Sequence, residues 1–210
     1  MKNMDKAIQY AESAIANCME EMQASQNMVA SAYVVGKETD GVVPMPYRSP
    51  KEKEAMTVAL GEIARQMEAS ELFFACSVTV VDGPPNMTIN QINKVPQDDR
   101  RKGITVTYVD FKSASGFLMT QEIAVVGGKY EPRKKTFEEF TEGSNDKVTA
   151  NYLFSIVLPI WRGERNIKDT IGPEIVGRAI NRDPAPDDPF HGIDMSAKPN
   201  DPRFPESERA

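Results

Sequence analysis

Hydrophobic and polar positions change period several times along this chain, and each change marks an element. The clearest lies between Ser49 and Asp82. Ser49, Pro50 and Glu52 fit the N-cap, N1 and N3 positions of a capping box, where the Ser49 hydroxyl accepts from the Glu52 amide and the Glu52 carboxylate accepts from the Ser49 amide. Met56, Leu60, Ile63 and Met67 then recur at helical spacing, with Glu54, Glu62, Arg65 and Glu68 mostly on the other sides, which predicts an amphipathic helix lying on a core. After Leu72, the residues through Val81 are β-branched, aromatic or small, and Asp82, Gly83, Pro84 and Pro85 close the run. Such a run predicts a strand covered on both faces.

Upstream, Ile8, Ala11, Ile15, Cys18, Met19 and Met22 form one stripe within residues 4 to 27, a second amphipathic helix. The stretch VASAYVVGK from Val29, then Thr39, Asp40 and Gly41, then Val42 and Val43, predicts a hairpin with an Asp-Gly turn, ended by Pro44 and Pro46. The order strand, helix, strand permits a right-handed crossover, and leaves open which strand lies beside 72–81.

Downstream, PPNMTINQINKVPQDDRRKG shows no periodicity and reads as a long loop, a length at which function, mobility or an unrecognised element is expected. Ile104 to Phe111 and Phe117 to Val126 read as two strands joined through KSASG. Pairing through that turn sets Val106 against Ile123, Ile104 against Val125 and Tyr108 against Gln121, with Thr105, Thr107, Thr120 and Glu122 on an exposed polar face. Tyr130 to Gly143 mixes a basic patch (Arg133, Lys134, Lys135) with an acidic one (Glu138, Glu139, Glu142) around Phe137 and Phe140, and reads as a short helix or ordered loop. Val148 to Trp161 is apolar and suits a helix ending before Pro159, although SIVLPIW alone would pass for a strand.

These elements predict an α+β protein. A single domain over residues 1–160 carries a four- to five-stranded, mainly antiparallel sheet with the two long helices packed on one face. A short helix or connector follows over 161–182, then a Pro- and Asp-rich tail over 183–210, extended or disordered in isolation, with six prolines between Pro184 and Pro205. No internal repeat is present.

The 210 residues are enough to bury a core without staples. A net charge of −6 disfavours nucleic acid and anionic membranes as partners of the whole protein, and no stretch reaches the length of a membrane span. Acidic residues interrupt the N-terminal region where a signal peptide needs an apolar run. Cys18 and Cys76 lack a spacing that suggests metal or redox chemistry, and a reducing, cytoplasmic location is expected.

Candidate chemistry is sparse. The single histidine, His191, lies in the tail, which argues against a Ser or Cys triad and against His-based metal sites. Gly127 and Gly128 follow a strand without phosphate-cradling spacing. No catalytic residue, metal ligand or cofactor is assigned. The tail supplies apolar anchors, Phe190, Ile193, Met195 and Phe204, among prolines that lower the entropy lost on docking. Asp98, Asp99, Arg100 and Arg101 are the loop candidates for an interaction. The leading expectation is therefore a non-catalytic interaction or assembly module with a protein partner or a second copy of itself. The alternative is a carboxylate-dependent, Mg²⁺-type enzyme built on the 86–102 loop and the adjacent sheet, drawing Asp98, Asp99, Asp110 and Glu122 together. A small apolar ligand between helices and sheet is a third option, decided by whether a pocket exists.

Overall fold

The computed structural model describes residues 2–25, 28–46, 50–83, 91, 94–142 and 150–165. In chain order the elements are α1 (Lys2–Ser25), β1 (Ser31–Val35), β2 (Asp40–Pro44), α2 (Pro50–Gln66), β3 (Glu71–Val80), β4 (Arg101–Asp110), β5 (Ser115–Val126), β6 (Lys129–Thr141) and α3 (Ala150–Trp161). The six strands form one antiparallel sheet in the order β2-β1-β3-β4-β5-β6. The expected strand neighbouring 72–81 is thus settled as β1 on one side and β4 on the other.

The helices divide between the two faces. On one, Ala7, Ala11, Ala14, Ile15 and Cys18 of α1 pack with Phe73, Val106, Tyr108 and Phe117. On the other, α2 and α3 bring Met56, Leu60, Phe154 and Val157 against Val34, Leu72, Phe74 and Val109. This corrects the expectation of two long helices on one face. Successive strand side chains point to opposite faces, so the neighbours Phe73 and Phe74, both buried, each demand a cover. The apolar run of β3 already implied two covered faces, and α1 supplies the second.

The expected strand count was also low, because Lys129–Thr141 is a strand instead of a helix or loop. Its side chains are nearly all exposed, being buried on neither face, so no apolar alternation existed to read. The first hairpin turns at Gly36 to Thr39, and Asp40 and Gly41 lie inside β2. The Asp-Gly signal lost to Gly36, where a Cβ would stand 2.3 Å from the Thr39 carbonyl oxygen.

In the β4–β5 hairpin the turn is tighter than KSASG. Asp110 pairs with Ser115, so Tyr108 faces Phe117, Val106 faces Met119 and Ile104 faces Gln121. The Asp110 Oδ1 accepts from the backbone N–H groups of Lys112 (2.8 Å) and Ser113 (3.1 Å), which fixes this turn. Phe111 leaves the strand to stack on Trp161, with ring centroids 4.9 Å apart. That register aligns Tyr33, Phe73, Tyr108 and Phe117 as directly opposed residues across four strands. Tyr10 of α1 lies 4.6 Å from the Phe73 ring, and Phe137 of β6 lies 5.1 Å from the Phe117 ring. Helix α3 runs to Trp161 with Pro159 inside it, past the proline at which the sequence expectation ended it, and the ring there removes one intrahelical N–H donor.

Among the described residues no helix is long and apolar enough to cross a membrane. The Ser49 cap, residues 166–182 of the connector and the tail lie outside the described residues.

Candidate functional site

The loop candidates have local structural work. Asp98 and Asp99 sit exposed in a single 3-10 turn, Gln97–Asp99, and the Arg100 Nε donates to the Val95 carbonyl at 3.0 Å. Arg101 opens β4 and forks onto Asp82 at 2.8 and 2.7 Å, while its Nε lies 3.2 Å from Glu122. That pairing holds the Asp82 carboxyl below the usual range, through the hydrogen bonds first and the charge second. Arg101 therefore ties β3 to β4 and β5 at one end of the sheet.

The four carboxylates of the enzyme expectation are not gathered. Glu122 is level with Gly103 and Asp110 lies seven positions farther along β4, roughly 23 Å away at strand rise. Among the described residues no group of three or more His, Cys, Asp or Glu side chains has the arrangement to hold a metal ion. Burial pushes the Cys76 thiol up to about 11, which disfavours the thiolate form.

Nor is the Thr-rich face open. Thr105 and Thr107 are buried, and the Thr105 and Thr120 hydroxyls pair at 3.1 Å. A cleft of about 210 Å³ lined by Met22, Met28, Val78 and Lys102, among others, falls below the roughly 300 Å³ at which ligand pockets begin.

Sequence reasoning missed a carboxylate row beside the aromatic one. Asp40 opposes Val35, Val35 opposes Glu71, and Glu71 opposes Asp110. Asp40 accepts from the Tyr33 hydroxyl at 2.8 Å. Burial first, then Asp110 and Asp40, raise the Glu71 carboxyl above its ordinary value. The visible signal was an acid at the end of each apolar run, a position otherwise explained by solubility.

No family model matches the chain, and comparisons with curated proteins and with solved structures return no match.

The remaining feature is the outer edge of β6, thirteen residues long, with no strand beyond it among the described residues. Charge divides it into a basic half, Arg133, Lys134 and Lys135, and an acidic half, Glu138 and Glu139, with Phe137 between at 41% exposure. A bulge lies inside the basic half, since Gln121 pairs with Lys135 but Ile123 pairs with Pro132. The buried Gln121 amide donates to the Arg133 and Lys134 carbonyls at 3.2 and 3.3 Å and so satisfies the bulged backbone.

The strand is held in place along its length. At its start the Tyr130 N–H donates to Gln23 of α1 at 2.8 Å. Midway Lys135 pairs with Glu12. Just past its end Glu142 receives the Arg162 guanidinium fork at 2.6 and 2.8 Å. An edge fixed at three points pays little ordering entropy when another chain adds to it. The tail anchors Phe190, Ile193, Met195 and Phe204 lie outside the described residues.

Proposed function

We propose that this protein is a non-catalytic interaction or assembly module that engages protein partners along the outer edge of β6, with its C-terminal tail as a second docking element. The exposed, pre-fixed edge of β6 carries this reading. Strand addition draws affinity from backbone hydrogen bonds and specificity from alternate side chains, and β6 offers both over the segment past its bulge. The tail composition, apolar anchors among prolines and acids, supports a part in docking. Two buried cysteines that form no disulfide, Cys18 and Cys76, suit a cytoplasmic setting.

The test is co-purification from the native host with the wild type, with Phe137→Asp, and with a variant carrying serine at 190, 193, 195 and 204. A partner recovered with the wild type and lost with Phe137→Asp supports the edge; loss with the serine variant supports the tail. Recovery of a lone monomer from the wild type under all conditions counts against the whole reading.

A further inference from the structure

We infer that the occupant of the β6 edge is a second copy of this chain, paired antiparallel through β6 about a twofold axis at Phe137. This rests on the interaction reading above. The two halves of the strand carry opposite charge, and antiparallel pairing of a strand with its own copy places each half against the other.

Symmetry narrows the register. A twofold axis perpendicular to the sheet keeps each face on its own side, so opposed residues must come from the same face. Lys135, Phe137 and Glu139 share the α1 face, since they oppose Gln121, Met119 and Phe117. With Phe137 opposite Phe137 of the second copy, Lys135 meets Glu139 of the second copy twice, once on each side of the axis. A register centred on Lys135 or on Glu138 would oppose like charges. Centring on Thr136 keeps the charges matched but sets Lys135 against Phe137. Only the Phe137-centred pairing continues the aromatic row, which already reaches Phe137 through Phe117 at 5.1 Å, into the neighbouring sheet.

The rest of β6 fits a limited, closed contact. Pro132 and the bulge sit at its first half, devices that keep an edge from pairing further. The stretch from Lys135 to Phe140 has neither. A twofold pairing uses up the β6 edge of each copy, so this contact closes at a dimer.

The closing experiment measures the molar mass and the dimer dissociation constant by sedimentation, for the full-length wild type, Lys135→Glu, Glu139→Lys and the double reversal, with a thermal melt of each. Both positions are exposed, so the melts should move little; Lys135→Glu and the double reversal lose the same surface pair with Glu12, so the association of these two is compared with that shared loss in place. Each single reversal sets like charges against each other at two symmetric places and should weaken the dimer roughly tenfold. The double reversal restores opposite charges and should recover wild-type association. A dimer indifferent to the single reversals, or a double reversal no better than the singles, would overturn the β6 pairing. A wild-type monomer at every concentration would overturn it too. In that event co-purification of a different protein, lost with Phe137→Asp, keeps the interaction reading standing, whereas no such protein removes both.

Discussion

Glu71 and Asp110 stand directly opposite each other on β3 and β4, two carboxylates in one cross-strand pair. Like charges so placed repel, and partial burial of Glu71 adds to the cost of ionising it. Its folded pKa lies above its unfolded one, so the folded state holds the proton more tightly. The stability from that proton is fully present below the ordinary glutamate range and is lost as pH rises through the raised value. Glu71→Gln should therefore match wild type near pH ~4 and exceed it at neutral pH. Since Glu71 is partly solvated and screened, the gain should be about 0.5–1 kcal/mol. Urea unfolding midpoints across that pH range check the sign; equal midpoints at neutral pH would refute it.

Helix α2 is buried almost all round from Ala55 to Glu62 because it lies between the sheet and α3. At its crossing with α3 a Cβ on Gly61 would lie 3.0 Å from the Ile160 Cβ. Gly61→Val should cost about 1–3 kcal/mol by overpacking, despite replacing a poor helix former. Chemical denaturation gives the number, and Ile160→Ala in the same chain should recover part of the loss if the contact is the cause.

What was legible in the sequence follows what is buried. Met56 and Leu60 of α2 and Leu72 to Ala75 of β3 are core, and their period showed it. β6 was misread because charge and exposure on both its faces erase the alternation that reveals a strand. The β4–β5 register was misread for another reason: Phe111 is apolar and buried yet belongs to the turn, where Trp161 receives it. No local pattern predicts a contact with a helix fifty positions later. The same limit hid the candidate site, since an edge exists only once the strand order is known.

Phe111 and Trp161 supply a probe for that distant contact. Their rings stack 4.9 Å apart at an interplanar angle of 14°. Trp161 is the single tryptophan, so its fluorescence reports the docking of α3 alone. Phe111→Ala should destabilise by about 3–5 kcal/mol and red-shift the emission as water reaches the indole. An unchanged emission maximum in the folded variant would mean that α3 is held without this ring.

Leu60 is fully buried among the sheet-facing residues of α2. A carboxylate there would have neither water nor a charge partner, a penalty that exceeds the whole stability of most proteins of this size. Leu60→Asp should fail to give a cooperative melt at neutral pH. A midpoint near wild type would show that the core is not organised on α2.

The aromatic row separates what stability needs from what the edge offers. Phe117 is completely buried between Tyr108, at 5.1 Å, and Phe137, also at 5.1 Å, whereas Phe137 is 41% exposed. The two rings touch, yet they should respond differently to truncation. Phe117→Ala leaves a cavity under α1 and should cost about 3–5 kcal/mol. Phe137→Ala removes one aromatic contact from a solvated edge and should cost about 1 kcal/mol. Denaturation gives both costs and sedimentation gives association, so each variant yields two independent numbers. If the edge is a docking surface, Phe137→Ala loses association while keeping its fold. A large stability loss at Phe137 with unchanged association would assign that ring to the core, and would remove the exposed anchor on which the β6 interface depends.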